Sequence, residues 1–166
     1  MSGPQTIDDL AGPLAAFWRD FLERSGRAAG TPVADVFHFS DCEADAIELA
    51  DLVLAGTKIG TASLVWLYEA RGGALPAAGD LSIVTDWHGA PLCVIETTTV
   101  AIVPFDEVTP AFAASEGEGD RSLEHWRRVH WDYFVRECAR LGRSPSRIMP
   151  VVCENFRVIH RADAAA

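Results

Sequence analysis

Lys58 is the only lysine among the 14 basic residues of the chain. Arginine keeps its proton in proteins, whereas a desolvated lysine can lose it. A sequence that places arginine at every other cationic position marks Lys58 as a candidate for proton transfer. The amine lies in Gly56-Thr57-Lys58-Ile59-Gly60-Thr61-Ala62-Ser63. This is a tight turn between two glycines, followed by one hydroxyl three residues on and a second two beyond that. On a strand leaving the turn, Thr61 and Ser63 share a face because strand side chains alternate. An amine beside a hydroxyl is the smallest set able to activate an oxygen nucleophile. The same lysine and glycine-rich backbone also suit a phosphate, although the Walker spacing G-x-x-x-x-G-K-[ST] is absent. The plain alternative is a solvated lysine in an ordinary turn.

Three further segments carry groups of interest. Glu116-Gly117-Glu118-Gly119-Asp120 sets three carboxylates on alternate residues. The usual explanation is an exposed acidic loop; the calcium-loop pattern is missing, so no metal is expected. A carboxylate of this loop brought near Lys58 would orient the amine or shuttle its proton. Glu96 sits mid-strand between Ile95 and Thr97, and facing a barrel interior it would need a partner. In Trp126-Arg127-Arg128-Val129-His130-Trp131 the aromatics either stack on a base, with arginines near a ribose or phosphate, or belong to the core. His125 and His130 are five apart and share no helical face, so a two-histidine metal site is not expected there. Nothing in the chain calls for a cofactor.

These groups need elements to position them. Leu14, Phe17, Trp18, Phe21 and Leu22 follow helical spacing, with Pro13 in the first turn and Gly26 at the end. Val33 to Phe39 reads as a short strand. Ser40-Asp41-Cys42-Glu43 has the form of a capping box for a second helix that stops at Gly56. Thr61 to Tyr68 reads as a strand. Leu81 to Asp86 and Leu92 to Val103 form a hairpin across Trp87-His88-Gly89-Ala90-Pro91. Phe105 to Ser115 is expected as a short helix despite Pro110. Ser122 caps a long helix closed by Gly142, and Val151 to Ile159 is a last strand. This order predicts an α+β protein with a mixed or antiparallel sheet, curled into a small barrel.

Composition narrows the partners. The chain has 166 residues and a net charge of -10, and the balance is uneven: -6 over residues 1–60, -8 over 61–120 and +4 over 121–166. A general nucleic-acid binder shows a basic excess, because phosphate neutralisation supplies most of its affinity. No apolar run reaches the roughly 20 residues of a membrane helix. The N-terminus has neither a basic nor an apolar stretch of a signal peptide. Cys42, Cys93, Cys138 and Cys153 form no C-x-x-C pair and read as reduced thiols of a cytoplasmic protein.

The segment Leu52 to Ser63, with its G-x-K-x-x-T-x-S pattern, resembles the signature of the ASCH domain family. The likeness continues through Pro91 to Glu96, Glu116 to Asp120 with Ser122-Leu123 and Trp126-Arg127, and Val151 to Phe156, and it covers residues 33–160. It implies a PUA-like α+β fold, a small mixed or antiparallel β-barrel with flanking helices. Residues 1–32 then form an N-terminal helix and connection, and residues 161–166 a tail. The resemblance implies two activities. Some short members are amidohydrolases that deacylate N4-acetylcytidine with a lysine, a threonine three residues on and a glutamate in the loop before the last helix. By motif these fall on Lys58, Thr61 and Glu116. Thr61 would attack the amide carbonyl, Lys58 would handle its proton, and Glu116 would orient Lys58 or protonate the leaving amine. Ser63, Glu96, Glu118, Trp126 and Arg127 are the expected substrate contacts. Other members are RNA binders, and a ribonuclease activity is proposed for longer ones. The net charge favours a small nucleoside, leaving an RNA-binding module or a ribonuclease on single-stranded RNA as the alternative. A homodimer is left open.

Overall fold

In the computed structural model, which describes residues 5–163, a 3-10 turn at Ile7–Asp9 leads into helix α1 (Gly12–Ser25). Pro13 occupies its first turn and Gly26 closes it in the left-handed region, at φ 68°. Residues 1–4 and 164–166, which belong to the expected N-terminal segment and tail, lie outside the described residues. Then follow β1 (Asp35–Phe37), α2 (Glu43–Leu54), β2 (Gly60–Leu64), α3 (Val65–Arg71), β3 (Leu81–Thr85), β4 (Pro91–Pro104), α4 (Pro110–Ser115), α5 (Leu123–Leu141) and β5 (Pro150–Arg161).

The strands make one sheet in the order β1-β3-β4-β5-β2. β1 pairs with β3 in parallel, and the other ladders are antiparallel. The expected β3–β4 hairpin is present, and the sheet is mixed as expected. Irregular register at Val94/Ile95 and Thr97/Thr99 of the long β4–β5 ladder, and at Val84/Thr85, adds local twist. The sheet curls into a half-barrel whose outer strands, β1 and β2, do not pair.

Three apolar clusters hold it. The α1 face Phe17, Trp18, Phe21 and Leu22 packs on Val33, Leu81, Ile83 and Val94. The α5 stripe Trp126, Phe134 and Cys138 packs with Phe105, Leu64, Val151 and Cys153 on another part of the sheet. Phe39 and Val53 close over Val84, Cys93, Ile95 and Phe156 on the side opposite to Ile83 and Val94. Among the described residues no helix is long and apolar enough to cross a membrane. All four cysteines are unpaired.

Three local expectations are corrected. Val65 to Tyr68 leaves the strand and forms α3: β2 ends where Leu64 pairs with Val151, and the segment then turns Trp66 onto the α5 cluster and Tyr68 back toward Ser63. Packing here overrides the strand preference of Val, Trp and Tyr. The capping box at Ser40 does not form. Ser40 has a positive φ of 64°, its hydroxyl faces Asp45, and α2 starts only at Glu43. The segment from Phe105 to Ser115 is split. Phe105–Glu107 is a 3-10 turn, and α4 starts with Pro110 at its N-terminus, where a missing N–H costs nothing; Thr109 caps it by accepting from Phe112 N at 3.2 Å.

Candidate active site

The turn between α2 and β2 is held by its backbone. The N–H groups of Thr57 and Lys58 both donate to Leu52 O, and Ile59 N donates to Ser115 O. The loop after α4 therefore lies against the lysine turn. Gly117 makes this approach feasible. Its φ is +70°, and a Cβ there would fall on the Thr57 carbonyl oxygen. A Cβ on Gly60 would lie 2.6 Å from Ser115 Oγ. The two glycine-rich segments singled out in the sequence are thus one packed unit.

That packing buries Lys58, which is only 2% exposed. Its Nζ lies 2.7 Å from Glu118 Oε1 and 3.6 Å from Glu116 Oε1, and 5.4 Å from the centre of the Phe39 ring. Glu116 is fully buried. Its Oε2 accepts from the Trp126 indole N–H at 2.5 Å and lies 2.8 Å from His130 Nε2. His130 stacks on Trp126 with ring centres 4.2 Å apart, and its Nδ1 faces the Trp126 carbonyl oxygen at 3.0 Å. Burial alone would raise the Glu116 carboxyl. The Lys58 and His130 charges, with the two hydrogen bonds, outweigh it and hold the carboxyl at about 2. Glu116 is therefore an anionic anchor that fixes the amine from behind. Glu118, with 16% of its side chain exposed, is the carboxylate between Lys58 and the outside.

One donor atom each of Glu116, Glu118 and His130 lies within 4.8 Å of the others, a grouping of the size that a divalent ion needs. Lys58 Nζ already supplies the cation between the two carboxylates, so the donor set fits an ammonium better than a metal.

The other expected residues fall in four places. Thr61, on β2 opposite Glu154, is half-buried, and its hydroxyl makes no hydrogen bond with the described residues. Ser63 is on the same face, bonded to Tyr68 OH at 2.9 Å. Trp126 is 2% exposed and lies in the core; it meets the site from behind, through its N–H on Glu116 and its stacking on His130. Arg127 and Glu96 are held elsewhere. Arg127 donates to Asp106 O at 2.8 Å and lines a separate cleft with Phe105, Trp131 and Arg147. Glu96 accepts from Arg157 at 2.6 and 2.9 Å. The carboxylates at Lys58 are accordingly Glu116 and Glu118, not Glu96. His130 was missed as a member of the site; its signal was the four-residue spacing from Trp126 on one helix stripe.

The expected family was tested by comparison. A family model described as ASCH domain matches residues 35–160. An ASCH-domain structure from Lactobacillus crispatus is 36% identical, with a TM-score of 0.80 over 88% of this chain and 93% of that one. Protein EF3133 of Enterococcus faecalis is 32% identical, with a TM-score of 0.80 over 88% of this chain and 87% of that one. The hypothetical protein PH0355, 17% identical with a TM-score of 0.51 over 75% of this chain and 98% of that one, shares the fold. No curated protein matches.

Proposed function

This chain belongs to the ASCH domain family with its PUA-like fold, and we propose that it is an amidohydrolase removing the acyl group from an N4-acylated cytidine or similar small nucleoside. The observation that carries this reading is the buried Lys58, clamped by Glu118 and Glu116 one turn before a threonine whose hydroxyl is unengaged. A lysine buried merely for packing would bring a large desolvation penalty; a lysine that must move a proton justifies it.

In the reaction so read, Thr61 Oγ attacks the acyl carbon. Its proton passes to the Lys58–Glu118 pair as the new C–O bond forms. The C–N4 bond then breaks, and the departing nitrogen takes a proton from the same pair, leaving an ester on Thr61. Water, deprotonated by that pair, hydrolyses the ester and regenerates the hydroxyl. Glu116 is a positioning residue: completely buried and occupied by Trp126 and His130, it fixes the amine rather than reaching the leaving group. Ser63 and Glu118 stand on the substrate side. The net charge of -10 suits a nucleoside, which needs no phosphate contacts, better than a long RNA.

The test is incubation of the purified protein with N4-acetylcytidine and chromatographic scoring of cytidine, beside Lys58→Arg. Release by the wild type and a loss of at least about 100-fold in the variant is expected, because arginine keeps charge but cannot give up its proton. No release by a folded wild type rejects this substrate and turns the question to cleavage of single-stranded RNA.

A further inference from the structure

Glu154 was not among the expected site residues, yet it is the direct cross-strand partner of Thr61. Directly opposed side chains in an antiparallel pair lie on one face, with Cβ atoms about 5 Å apart. Alternation along β5 puts Cys153 and Asn155 on the helix-covered face and Glu154 with Phe156 on the other. Phe156 belongs to the cluster of Phe39, the ring against which the Lys58 amine lies. Glu154 and Thr61 thus share the face of the sheet that carries Phe156, beside the ring that the Lys58 amine meets.

The setting of this carboxyl is specific. Thr97, 2% exposed, donates its hydroxyl to Glu154 Oε1 at 2.6 Å. That bond fixes the carboxyl plane and leaves Oε2 without a partner among the described residues. The charged and titratable groups that face it are Asp80 before β3, Asp35 on β1 and Tyr68 on α3. None of them is a cation; Arg71 acts on Asp35 and Tyr68 instead. Burial first, and then the charges of Asp80 and Asp35, push the Glu154 carboxyl up from its ordinary value against the Thr97 hydrogen bond. Such a place lowers the cost of the neutral form relative to water.

Resting on the deacylase reading, we infer that Glu154 reads the base of the substrate as a neutral acid, donating from Oε2 to the ring nitrogen beside the acylated amine and accepting that amine's N–H at Oε1. The N3 and N4–H edge of a cytosine offers one acceptor next to one donor. A neutral carboxyl offers the complementary pair in one plane, and Oε1 has a second lone pair free beside the Thr97 bond. A carboxylate presents acceptors only and would face N3 with no proton between them. The inference gives Glu154 a specificity role: substrates need a ring nitrogen next to the acylated nitrogen.

The test separates this from hydrolysis by measuring binding alone. Calorimetric titration of cytidine and of 3-deazacytidine is compared for the wild type, Glu154→Gln and Glu154→Ala, with thermal unfolding as the folding control. The wild type is expected to bind cytidine about tenfold more tightly than 3-deazacytidine, and to weaken as pH rises and Glu154 ionises. Glutamine presents the same acceptor and donor, so Glu154→Gln keeps the affinity and the discrimination and loses the pH dependence. Glu154→Ala loses about tenfold in affinity together with the discrimination. A Gln variant as weak as the Ala variant, an Ala variant that binds normally, or a folded wild type that binds no cytidine overturns the inference. Normal discrimination in a protein that never cleaves N4-acetylcytidine instead leaves Glu154 as the base reader and rejects the deacylase reading.

Discussion

Glu118 Oε1 stands 2.7 Å from Lys58 Nζ, whereas Glu116 Oε1 stands at 3.6 Å. The two carboxylates thus divide between them what a single glutamate was expected to do: Glu118 is close and partly exposed, whereas Glu116 is deep, with Oε2 held by Trp126 and His130 and Oε1 facing only the amine. The division predicts opposite effects of the same isosteric change. Glu118→Gln is expected to lower kcat by about 100-fold, the usual scale for a lost proton relay, with little change in the unfolding midpoint. Glu116→Gln removes the buried counter-charge of Lys58 and His130 and is expected to cost on the order of 3 kcal/mol. Denaturant unfolding beside deacetylation kinetics checks both, and a Glu118→Gln enzyme with full activity ends the relay role.

Acid should expose the same anchor. The Glu116 carboxyl is lowered in the folded protein, from 4.5 to about 2, so its contribution is fully present above 4.5. As pH falls from there toward 2, the unfolded chain takes up a proton that the folded protein refuses. Stability then falls by an amount on the order of 3 kcal/mol. The urea midpoint of the wild type should therefore drop more steeply over this window than that of Glu116→Gln. Parallel curves for the two proteins would assign the acid sensitivity to other carboxylates.

Gly117 predicts a backbone effect. Its φ of +70° and the contact with Thr57 mean that a methyl group is both strained and blocked. Gly117→Ala is expected to cost about 2 kcal/mol or more and to displace Glu116 and Glu118 from Lys58, so activity should fall further than stability. Gly119→Ala does not separate the two effects, because its Cβ meets the His125 ring. Gly79→Ala, with a φ of +93° and open space around it, is the control for strain alone. Equal effects on activity at Gly117 and Gly79 would mean that the close approach to Thr57 does not matter.

The parts of the fold that were legible are those in which local pattern and tertiary packing agree. The stripe of α1, the β3–β4 hairpin and the Ser122–Gly142 bounds of α5 each carry their own caps, turns or periodicity. α3 was hidden because Val65-Trp66-Leu67-Tyr68 has strand-forming residues, and only the contacts of Trp66 and Tyr68 with neighbouring elements make it helical. The site follows the same rule. Lys58 and Thr61 were marked by residue type and spacing, and Glu116 was singled out from its acidic loop by the family resemblance. The bond between Lys58 and Glu118 spans 60 residues of sequence, and the pairing of Thr61 with Glu154 depends on a β2–β5 register that no local pattern states. Glu96 looked equivalent to them because a mid-strand carboxylate does not announce its partner; Arg157 on the next strand takes it.

Trp126 links the core to the chemistry. Its ring packs with Phe105 at 5.4 Å and with His130, and its N–H is one of the two bonds that fix Glu116 Oε2. Trp126→Phe keeps an aromatic in the core but leaves that bond unmade, and also leaves a gap, so a lower stability by itself is ambiguous. The two effects separate in a cycle with Glu116→Gln. If the indole acts on the carboxylate, the losses from the two changes are not additive, and the coupling should be about 1 kcal/mol or more. The deacetylation rate gives a second reading, because a less firmly held Glu116 lets the Lys58 amine drift from its place against Glu118. A tenfold fall in kcat with an unchanged KM is expected. Additive stabilities together with a normal rate would reduce Trp126 to a packing residue.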